Sequence, residues 1–444
     1  MPPLLALLLT FLLTGFLLFR DYRREPDASP WLWIPLLWML IILSRPVIFW
    51  LDPSQAVQAV QINDIESGNP IDRIVYLALI GGGAFAVMGR ERLVSIADVL
   101  KKNVFVVLFF VYCGLSIAWS DYSFVAFKRW IKEIGTLLMV LIIITAPGYP
   151  ESLKWVLRRC GYILVPLSVT LIKYFPEYSK QYDPWSGYAH VIGVATSKNV
   201  LGILCLLLGL FFAWEIIAKW RAKRDPVDFV LLGMILWLLY LAQSMTSMLI
   251  LIIGIGLLIL FHILGKRATA VVDYVVLTIV FFAAVDVFSE SEISGTLFEM
   301  LGRDRTLTGR TQIWDLVIQL VPNPLVGSGY ESFWLGERLA KIWATFWFRP
   351  NQAHNGYLEI YLNLGWVGLF LLAGVVYTAY VHSKRAMALQ LDYGSFRIVI
   401  WLTALFLNLT EAVFKAVSPV WVLFLIVAMD PVGMDWQGEE EPED

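Results

Sequence analysis

Charge is the first property that this sequence has little of. Of its 444 residues, 16% are charged, whereas an ordinary soluble domain carries about 25% charged residues. Too little polar surface remains to cover a water-soluble globule, which excludes a soluble enzyme, a nucleic-acid-binding protein and a disordered chain. The net charge of −2 gives no overall attraction to anionic or cationic partners.

Cysteines and metal-binding patterns are also scarce. The three cysteines, Cys113, Cys160 and Cys205, lie in apolar stretches, so neither a disulfide framework nor a cysteine metal site is expected. The sequence has no Asp-x-Asp pair and no glycine-rich phosphate loop after a strand. A metal-dependent reaction on a sugar nucleotide therefore has no recognisable ligands, and we expect no metal and no cofactor.

Long apolar stretches, in contrast, are abundant. Hydrophobic residues make up 59% of the chain and the mean hydropathy is +0.70. Because a helix needs roughly 20 apolar residues to cross a bilayer, the sequence predicts an all-α polytopic membrane bundle of about 12–13 helices. The candidate spans lie near residues 4–19, 31–50, 73–88, 104–119, 134–147, 154–172, 191–218, 228–243, 246–264, 270–288, 356–381, 397–411 and 417–430.

Positive charge orients these spans. Nineteen of the 34 basic residues fall in alternate short loops, on the side that the positive-inside rule assigns to the cytoplasm. The intervening loops are acidic, mixed or polar, and we assign them to the outer side. The first span has no basic leader and no small-residue cleavage site, so we expect an uncleaved extra helix with its N-terminus outside. The nineteen residues are Arg20, Arg23, Arg24, Arg90, Arg92, Lys101, Lys102, Lys154, Arg158, Arg159, Lys219, Arg221, Lys223, Arg224, Lys266, Arg267, Lys384, Arg385 and Arg397.

One outer loop is much longer than the others. The chain divides into spans over 1–288, a large outer loop over 289–355, spans over 356–430 and an acidic cytoplasmic tail over 431–444. Long ordered loops are usually functional. We expect this loop to fold back over the outer membrane surface, with a loosely packed lid without chemistry as the alternative.

The long loop contains signals for its own structure. Thr308 is a candidate N-cap for a helix with one apolar face, which Pro322-Asn323-Pro324 would end. Gly327-Ser328-Gly329 predicts a turn after it. The apolar face comprises Ile313, Leu316, Val317 and Leu320, and an aromatic cluster suited to the membrane interface follows, with Trp343, Phe346, Trp347 and Phe348.

The same loop carries cations that suit a phosphate ligand. Arg303, Arg305 and Arg310 lie within eight residues, and guanidinium groups bind phosphate oxygens with paired hydrogen bonds. Arg310 would lie in the first helical turn, where backbone N–H groups also favour an anion. The alternative is an internal ion pair of Arg303 or Arg305 with Asp304 or Glu299. The loop's other basic residues are Arg338, Lys341 and Arg349.

Two of the four histidines fall on the outer side. His354 lies at the start of the span that follows the long loop, where Asn355 can cap the helix. A neutral imidazole there would suit a general base; the alternative is a capping or interfacial histidine. His190 lies in an earlier outer loop, whereas His262 and His382 adjoin the cytoplasmic basic clusters.

A few other polar side chains lie near membrane depth, where they are costly and often functional. Arg45 could pair with a carboxylate or a lipid phosphate. Lys198-Asn199 opens the seventh span. Glu359 and Glu411 are carboxylates near the bilayer edge, and Glu359, in a first helical turn, fits a structural role equally well.

Three sequence blocks together resemble the O-antigen ligase and polysaccharide polymerase superfamily. The blocks are Leu307-Thr308-Gly309-Arg310-Thr311-Gln312-Ile313-Trp314, Pro324-Leu325-Val326-Gly327-Ser328-Gly329-Tyr330 and Ala353-His354-Asn355-Gly356-Tyr357-Leu358-Glu359. Gly365, Gly368 and Ser197-Lys198-Asn199-Val200-Leu201-Gly202 fit the same pattern. The resemblance covers about residues 190 to 380 at the level of motifs and the whole chain in its layout of spans.

The resemblance implies a multi-pass glycosyltransferase of the bacterial inner membrane, with the all-helical GT-C-like architecture and a site facing the periplasm. The donor would be a glycan on undecaprenyl diphosphate, and the acceptor a hydroxyl of a growing glycan or of lipid A core. His354 would be the base and Arg310 the diphosphate ligand. The resemblance also implies other polysaccharide export proteins as partners. It implies no nucleic-acid partner. The expected substrate-binding residues are Arg303, Arg305, Lys198, Asn199, Arg45, Asn355, Tyr357, Glu359 and His190.

One position departs from the family pattern. Met245 stands where the family often has a basic residue after the serine that opens the ninth span. A second diphosphate contact would then come from Lys198, Arg45 or Arg303.

The chemistry itself makes the same demands. Transfer from a lipid diphosphate needs a cation to stabilise the departing diphosphate and a base to deprotonate the acceptor, without a requirement for metal. We therefore expect direct inverting attack, and the sequence leaves ligase and polymerase undecided. The alternatives are a transporter or flippase of lipid-linked oligosaccharide, and a transferase with a carboxylate base, for which Asp52, Asp64 and Glu66 are candidates.

Overall fold

The computed structural model describes residues 1–24, 28–56, 68–89, 95–182, 187–220, 225–288 and 310–431. In this part of the chain the fold is a bundle of helices with one short two-stranded ribbon, which confirms the predicted all-α polytopic class. Several predicted features lie outside the described residues: Arg303 and Arg305, the alternative bases Asp64 and Glu66, the cap at Thr308, the basic residues Arg90, Arg92, Arg221, Lys223 and Arg224, and the acidic tail from 432 onward.

The elements are numbered here in chain order. The helices are α1 Pro3–Arg24, α2 Trp33–Leu43, α3 Val47–Leu51, α4 Pro70–Gly89, α5 Ile96–Lys102, α6 Val104–Leu115, α7 Ser123–Ile144, α8 Glu151–Tyr174, α9 Pro176–Ser179, α10 Lys198–Ala218, α11 Pro226–Ala242, α12 Met245–Leu264, α13 Ala268–Phe288, α14 Arg310–Gln319, α15 Gly336–Thr345, α16 Gly356–Leu389, α17 Leu391–Thr410 and α18 Pro419–Ala428. The antiparallel strands are β1 Lys180–Tyr182 and β2 Ala189–Val191.

Each of the thirteen apolar stretches contains a helix, but not every stretch is one uninterrupted span. Among the described residues, seven helices are long and apolar enough to cross a membrane, or eight if Ile96–Lys102 and Val104–Trp119, bent by 92°, count as one. The predicted span 31–50 is broken into α2 and α3, because Pro46 has no N–H to continue the helix. The span near 191–218 begins later than predicted, at Lys198.

Helix α10 lies at the centre of the bundle. Of its apolar window 89% is buried, compared with 17% for α1. Its first residue, Lys198, lies at the predicted outer end, and Glu215 lies near its other end. At a rise of about 1.5 Å per residue, some 25 Å of helix separate the two.

Buried ion pairs join several helices at the predicted cytoplasmic end. Arg158 pairs with Glu215, and Arg159 lies 2.8 Å from Asp21 of α1. Lys219 lies 2.6 Å from Glu215. Some of the basic residues that orient the chain therefore also connect α1, α8 and α10 through charge-assisted hydrogen bonds.

The described part of the long loop has a small core of its own, separate from the main bundle. Ile313 and Val317 of α14 pack with Leu339 and Ile342 of α15 and with Leu362 of α16. The predicted helix is thus confirmed with its apolar face buried. A loosely packed lid is wrong for residues 310–353, because this core fixes them to the start of α16.

Helix α16 is kinked where the loop crosses it. Gly365 has φ +64° and ψ −161°, a conformation that L side chains rarely adopt. The N–H groups of Ser328 and Gly329 donate to the carbonyls of Leu362 and Asn363, at 3.1 and 2.8 Å. In return, the N–H groups of Trp366 and Val367 donate to Pro324 and Leu325, at 3.0 and 3.1 Å.

This exchange explains why glycines recur in both segments. A Cβ on Gly365 would lie 2.3 Å from the carbonyl carbon of Leu325, and one on Gly327 would lie 2.4 Å from that of Asn363. The two backbones are in direct contact, and each satisfies polar groups that the kink leaves without a helical partner. Such groups must be satisfied at membrane depth.

Candidate active site

His354 occupies a conformation that the surrounding structure must impose. Its φ is +51°, a left-handed value that costs a non-glycine residue roughly 1–3 kcal/mol and is frequent at functional sites. The next residue, Asn355, is the N-cap of α16, because its Oδ1 accepts from the N–H groups of Tyr357 and Leu358, both at 3.1 Å. The predicted cap at Asn355 is confirmed.

The imidazole of His354 contacts a carboxylate. Its Nδ1 lies 3.3 Å from Oε2 of Glu411, and both side chains are partly buried. Because a carboxylate accepts hydrogen bonds, Nδ1 is the donor and Nε2 carries the lone pair. The amide nitrogen of Gln352 is also 3.3 Å from Nδ1, but two donors cannot bond, so it is only a neighbour of the ring.

Glu411 connects three separate parts of the sequence. It is the C-cap of α17, and its Oε1 accepts from Nδ2 of Asn199 at 2.8 Å. From the sequence, Glu411 is a costly carboxylate near the bilayer edge and is not among the predicted site residues. Its place at the end of a predicted span was a signal of function. Nothing in the sequence indicated that it would contact His354, which lies far from it along the chain.

Arg310 ties the long loop to the same region. It is the first residue of α14, and its Nη1 donates to the carbonyls of Thr410 at 2.7 Å and His354 at 3.4 Å. Nearby, the indole of Trp314 donates to the carbonyl of Ala353 at 2.8 Å. Arg310 and Trp314 thereby fix the backbone of His354 against the end of α17.

A small polar pocket lies beside this group. Its volume is about 70 Å³, and three helices begin at its wall: α10 at Lys198, α12 at Met245 and α14 at Arg310. Two cations, Lys198 and Arg310, and one carboxylate, Glu411, line it, and the cations together with the N–H groups of the helix N-termini favour an anion. The lining comprises Lys198, Asn199, Ile203, Gln243, Ser244, Met245, Thr246, Ser247, Arg310, Leu407 and Glu411.

The pocket also contains Met245, which stands where the family pattern often has a basic residue. Lys198 lines the same pocket as Met245. Arg45 does not, because its guanidinium donates to the carbonyls of Tyr178, Gly193, Val194 and Ala195 at 2.7–3.1 Å. The predicted pairing of Arg45 with a carboxylate or a lipid phosphate is therefore wrong, because Arg45 bonds to backbone carbonyls.

A much larger cavity is lined in part by residues next to His354 in the chain. Its volume is about 680 Å³, and five cationic and three acidic side chains line it. Gln352 and Gly356, two residues to either side of His354, belong to its wall, as does Ala412. His354 itself lines neither space; residues two positions before and after it line the cavity, and its partner Glu411 lines the polar pocket.

The cations of the cavity were not among the predicted site residues. Lys128 and Arg129 each lie one helical turn before Lys132 at the outer end of α7, which was the sequence signal for this cluster. The cations are Arg73, Lys128, Arg129, Lys132 and Lys415, and the carboxylates are Asp72, Glu331 and Glu359. Tyr330 also lines the cavity; burial, reinforced by Glu133, raises the pKa of its phenol well above the usual range, so the phenol stays neutral.

Other predicted site residues make structural contacts. Glu359 accepts from the indole of Trp334 at 2.9 and 3.0 Å and from the N–H of Ala353 at 2.6 Å. The hydroxyl of Tyr357 donates to the carbonyl of Leu405 at 3.1 Å. These contacts fit the structural alternative for Glu359, although its carboxylate still borders the cavity.

The remaining predicted residues lie away from His354 or pair elsewhere. His190 is in β2, paired with Gln181 of β1, and its ring lies 5.4 Å from that of Tyr188. Asp52, the described candidate for a carboxylate base, accepts from the hydroxyl of Ser54 at 2.6 Å. Within the described residues, neither pocket is lined by Arg45, His190 or Asp52.

Comparison with known proteins agrees with the predicted resemblance. The family model of the O-antigen ligases matches residues 229–373, a range that includes Arg310 and His354. A curated relative, the exopolysaccharide production protein ExoQ of Rhizobium meliloti, is 26% identical over 292 residues. That match covers 61% of this chain and 63% of the relative, so the chain spans less than two thirds of the relative's length. The two matches confirm the resemblance of this chain to the O-antigen ligase and polysaccharide polymerase superfamily.

Proposed function

We propose that this protein transfers a glycan from undecaprenyl diphosphate to a sugar hydroxyl, as a metal-independent, inverting membrane glycosyltransferase. The observation that carries the proposal is the position of His354. Its Nδ1 contacts Glu411 at 3.3 Å. Glu411 lines a polar pocket with two cations, and Gln352 and Gly356, two residues to either side of His354, line a large cavity. One reaction that needs a base between an acceptor space and an anion site is glycosyl transfer from a diphosphate.

The path of the acceptor's proton follows from the hydrogen bonding of the imidazole. With Nδ1–H donated to Glu411, Nε2 accepts the proton of the acceptor hydroxyl as its oxygen attacks the anomeric carbon. The bond from that carbon to the phosphate oxygen breaks, and its electron pair leaves with the diphosphate. Glu411 stabilises the imidazolium that forms, as a carboxylate does for other catalytic histidines.

The polar pocket stabilises the leaving group of the reaction. Arg310 and Lys198 neutralise charge on the departing diphosphate, and the N–H groups at the starts of α10, α12 and α14 add to this. These groups require no metal ion. Asn199 acts by holding Glu411 rather than by binding substrate, since its Nδ2 donates to that carboxylate.

The proposed setting is the bacterial inner membrane, with the site at the periplasmic face. The basic residues of the short loops support this orientation, because Lys198 and the buried pairs around Glu215 lie at opposite ends of α10. The relative's name, which refers to exopolysaccharide production, supports a role in polysaccharide assembly.

The test is an assay with purified protein and a repeat unit on undecaprenyl diphosphate. We expect glycan transfer by the parent protein and none by His354→Ala at equal protein level. The matched control is His262→Ala, at the far end of α12, which should keep full activity. Ladders of polymer indicate a polymerase and transfer to lipid A core a ligase. Full transfer by His354→Ala, or movement of the lipid across vesicles without a new glycosidic bond, would refute the proposal.

A further inference from the structure

We propose that Trp314 is a positioning residue, whose indole holds the peptide that aims the imidazole of His354 at Glu411. The inference rests on the proposed function and deepens it, since it concerns how the same base is held in place. Trp314 lines neither the cavity nor the polar pocket. Its effect on a reaction there would therefore pass through His354 and not through a contact with substrate.

The first support is the backbone conformation at His354. Its φ is +51°, whereas that of the next residue, the N-cap Asn355, is −149°. A left-handed residue with a Cβ keeps this conformation only where the surrounding structure holds it. Relaxation to a negative φ would move the imidazole relative to the residues before it. The aim of the ring therefore depends on contacts that hold the backbone here.

The second support is that side chains of α14 hold the peptides on both sides of His354. The φ angle describes rotation against the peptide that joins His354 to Ala353. Because a peptide is planar, a bond to its carbonyl oxygen fixes its orientation, and the indole of Trp314 donates to this oxygen at 2.8 Å. Arg310 donates to the carbonyl of the following peptide at 3.4 Å. The bond from Trp314 is the shorter one and acts directly on φ.

Helix α14 is itself fixed by the core of the long loop. Trp314 lies four residues after Arg310, so the two side chains share one side of the helix. Trp314 packs against the loop core, to which the fully buried Ala353 also belongs. Glu359 accepts from the N–H of Ala353 at 2.6 Å, but Glu359 belongs to α16, which begins just after His354. Trp314 therefore ties this peptide to a separate helix.

The third support is how little displacement the contact with Glu411 tolerates. The distance of 3.3 Å from Nδ1 of His354 to Oε2 is already long for an N–H···O bond, so a further shift of a few tenths of an ångström would break it. Glu411 cannot follow the ring freely, because its Oε1 accepts from Asn199 at 2.8 Å. The position of the imidazole must therefore be set from its own backbone, where the indole acts.

A pair of matched substitutions tests the inference by kinetics. Trp314→Phe keeps an aromatic ring and removes the N–H; it should lower kcat by about tenfold or more and leave both substrate KM values within about twofold. The control is Trp343→Phe, because the indole of Trp343 packs on the same loop core and donates to the carbonyl of Pro350 at 3.0 Å. Both variants should lower the melting temperature, but the control should keep its kcat. Equal kcat in the two variants, or a raised KM in Trp314→Phe, overturns the inference.

The tautomer of His354 gives a second measurement, which needs no catalysis. The sample is detergent-solubilised protein labelled with ¹⁵N in its four histidines, at alkaline pH, and the His354 signals are those absent from His354→Ala. In the parent and in Trp343→Phe, the proton should reside on Nδ1, which donates to Glu411. In Trp314→Phe, a mixture of the two tautomers should appear. The parent tautomer in Trp314→Phe overturns the inference.

The two proposals fail in different ways. If Trp314→Phe changes the tautomer of His354 but the parent forms no glycosidic bond, the proposed function fails while the positioning by Trp314 stands. If the parent transfers glycan through His354 but Trp314→Phe keeps the parent tautomer and kcat, the positioning fails and the proposed function stands.

Discussion

Nδ1 of His354 lies 3.3 Å from the carboxylate of Glu411, although 57 residues separate them in the chain. The contact fixes which ring nitrogen carries the proton. It also makes the basicity of Nε2 depend on a residue outside the three sequence blocks that carry the family resemblance.

Glu411→Gln should lower kcat by about 10- to 100-fold, the usual range for loss of a carboxylate that orients a histidine. The donor KM should stay the same or fall, because the carboxylate of Glu411 lines the polar pocket and its negative charge opposes a diphosphate there. The measurement is steady-state glycan transfer at equal amounts of folded protein. Glu337→Gln, at an exposed glutamate in the first turn of α15, is the control, and unchanged kcat in Glu411→Gln would show that Glu411 does not orient the base.

Lys198→Gln should raise the donor KM by about 10-fold or more, since one charge-assisted contact contributes roughly 1.5–3 kcal/mol. Adding Met245→Arg should restore part of the loss, because both side chains line one pocket. The measurement is the donor KM of the single and double variants. If Met245→Arg restores nothing, Lys198 is not a substitute for the missing basic residue.

Glu359→Gln should destabilise the loop without removing activity. The amide keeps one acceptor but turns N–H groups toward Trp334 and Ala353, at a cost of about 1–3 kcal/mol. The melting temperature in detergent should fall, and the donor KM of the folded fraction should not change. Trp334→Phe should lower the melting temperature similarly, whereas Trp347→Phe, at a 72% exposed indole, should not. A raised donor KM with normal melting would instead support substrate binding by Glu359.

Gly365→Ala should be strongly destabilising for two reasons. The backbone at φ +64° and ψ −161° is open essentially to glycine alone and costs a residue with a Cβ about 1–3 kcal/mol, and the Cβ would lie 2.3 Å from the carbonyl carbon of Leu325. We expect a lower melting temperature and faster proteolysis within 324–329. Gly256→Ala in α12, where a Cβ would meet nothing within 4 Å, is the matched control. Equal stability of the two variants would show that the backbone contact contributes little.

Much of the fold could be predicted because hydropathy is a local property of the sequence. The apolar stretches each contain a helix, and the amphipathic face with Ile313 and Val317 identified α14. The break at Pro46 was not predicted, because hydropathy does not distinguish one helix from two helices within the same apolar stretch. The kink at Gly365 was missed for a different reason, since a glycine within a span does not reveal that another segment crosses there.

The site was predicted only in part, because its residues come together across long distances in sequence. Arg310, His354 and Lys198 stood out through the family pattern or the cost of a charge near the bilayer. Glu411 and the cations of α7 had no partner that the sequence could indicate. Arg45 was predicted as a site residue because a charge near membrane depth is energetically costly. Its guanidinium instead donates to four backbone carbonyls, and nothing in the sequence distinguishes that role from phosphate binding.

The four backbone hydrogen bonds between residues 324–329 and the kink of α16 also limit how the enzyme can turn over. Lifting this segment would leave peptide groups of both segments without hydrogen-bond partners, which is unfavourable. This segment is therefore a fixed wall and not a hinged cover, and any substrate of the proposed reaction would have to pass beside it.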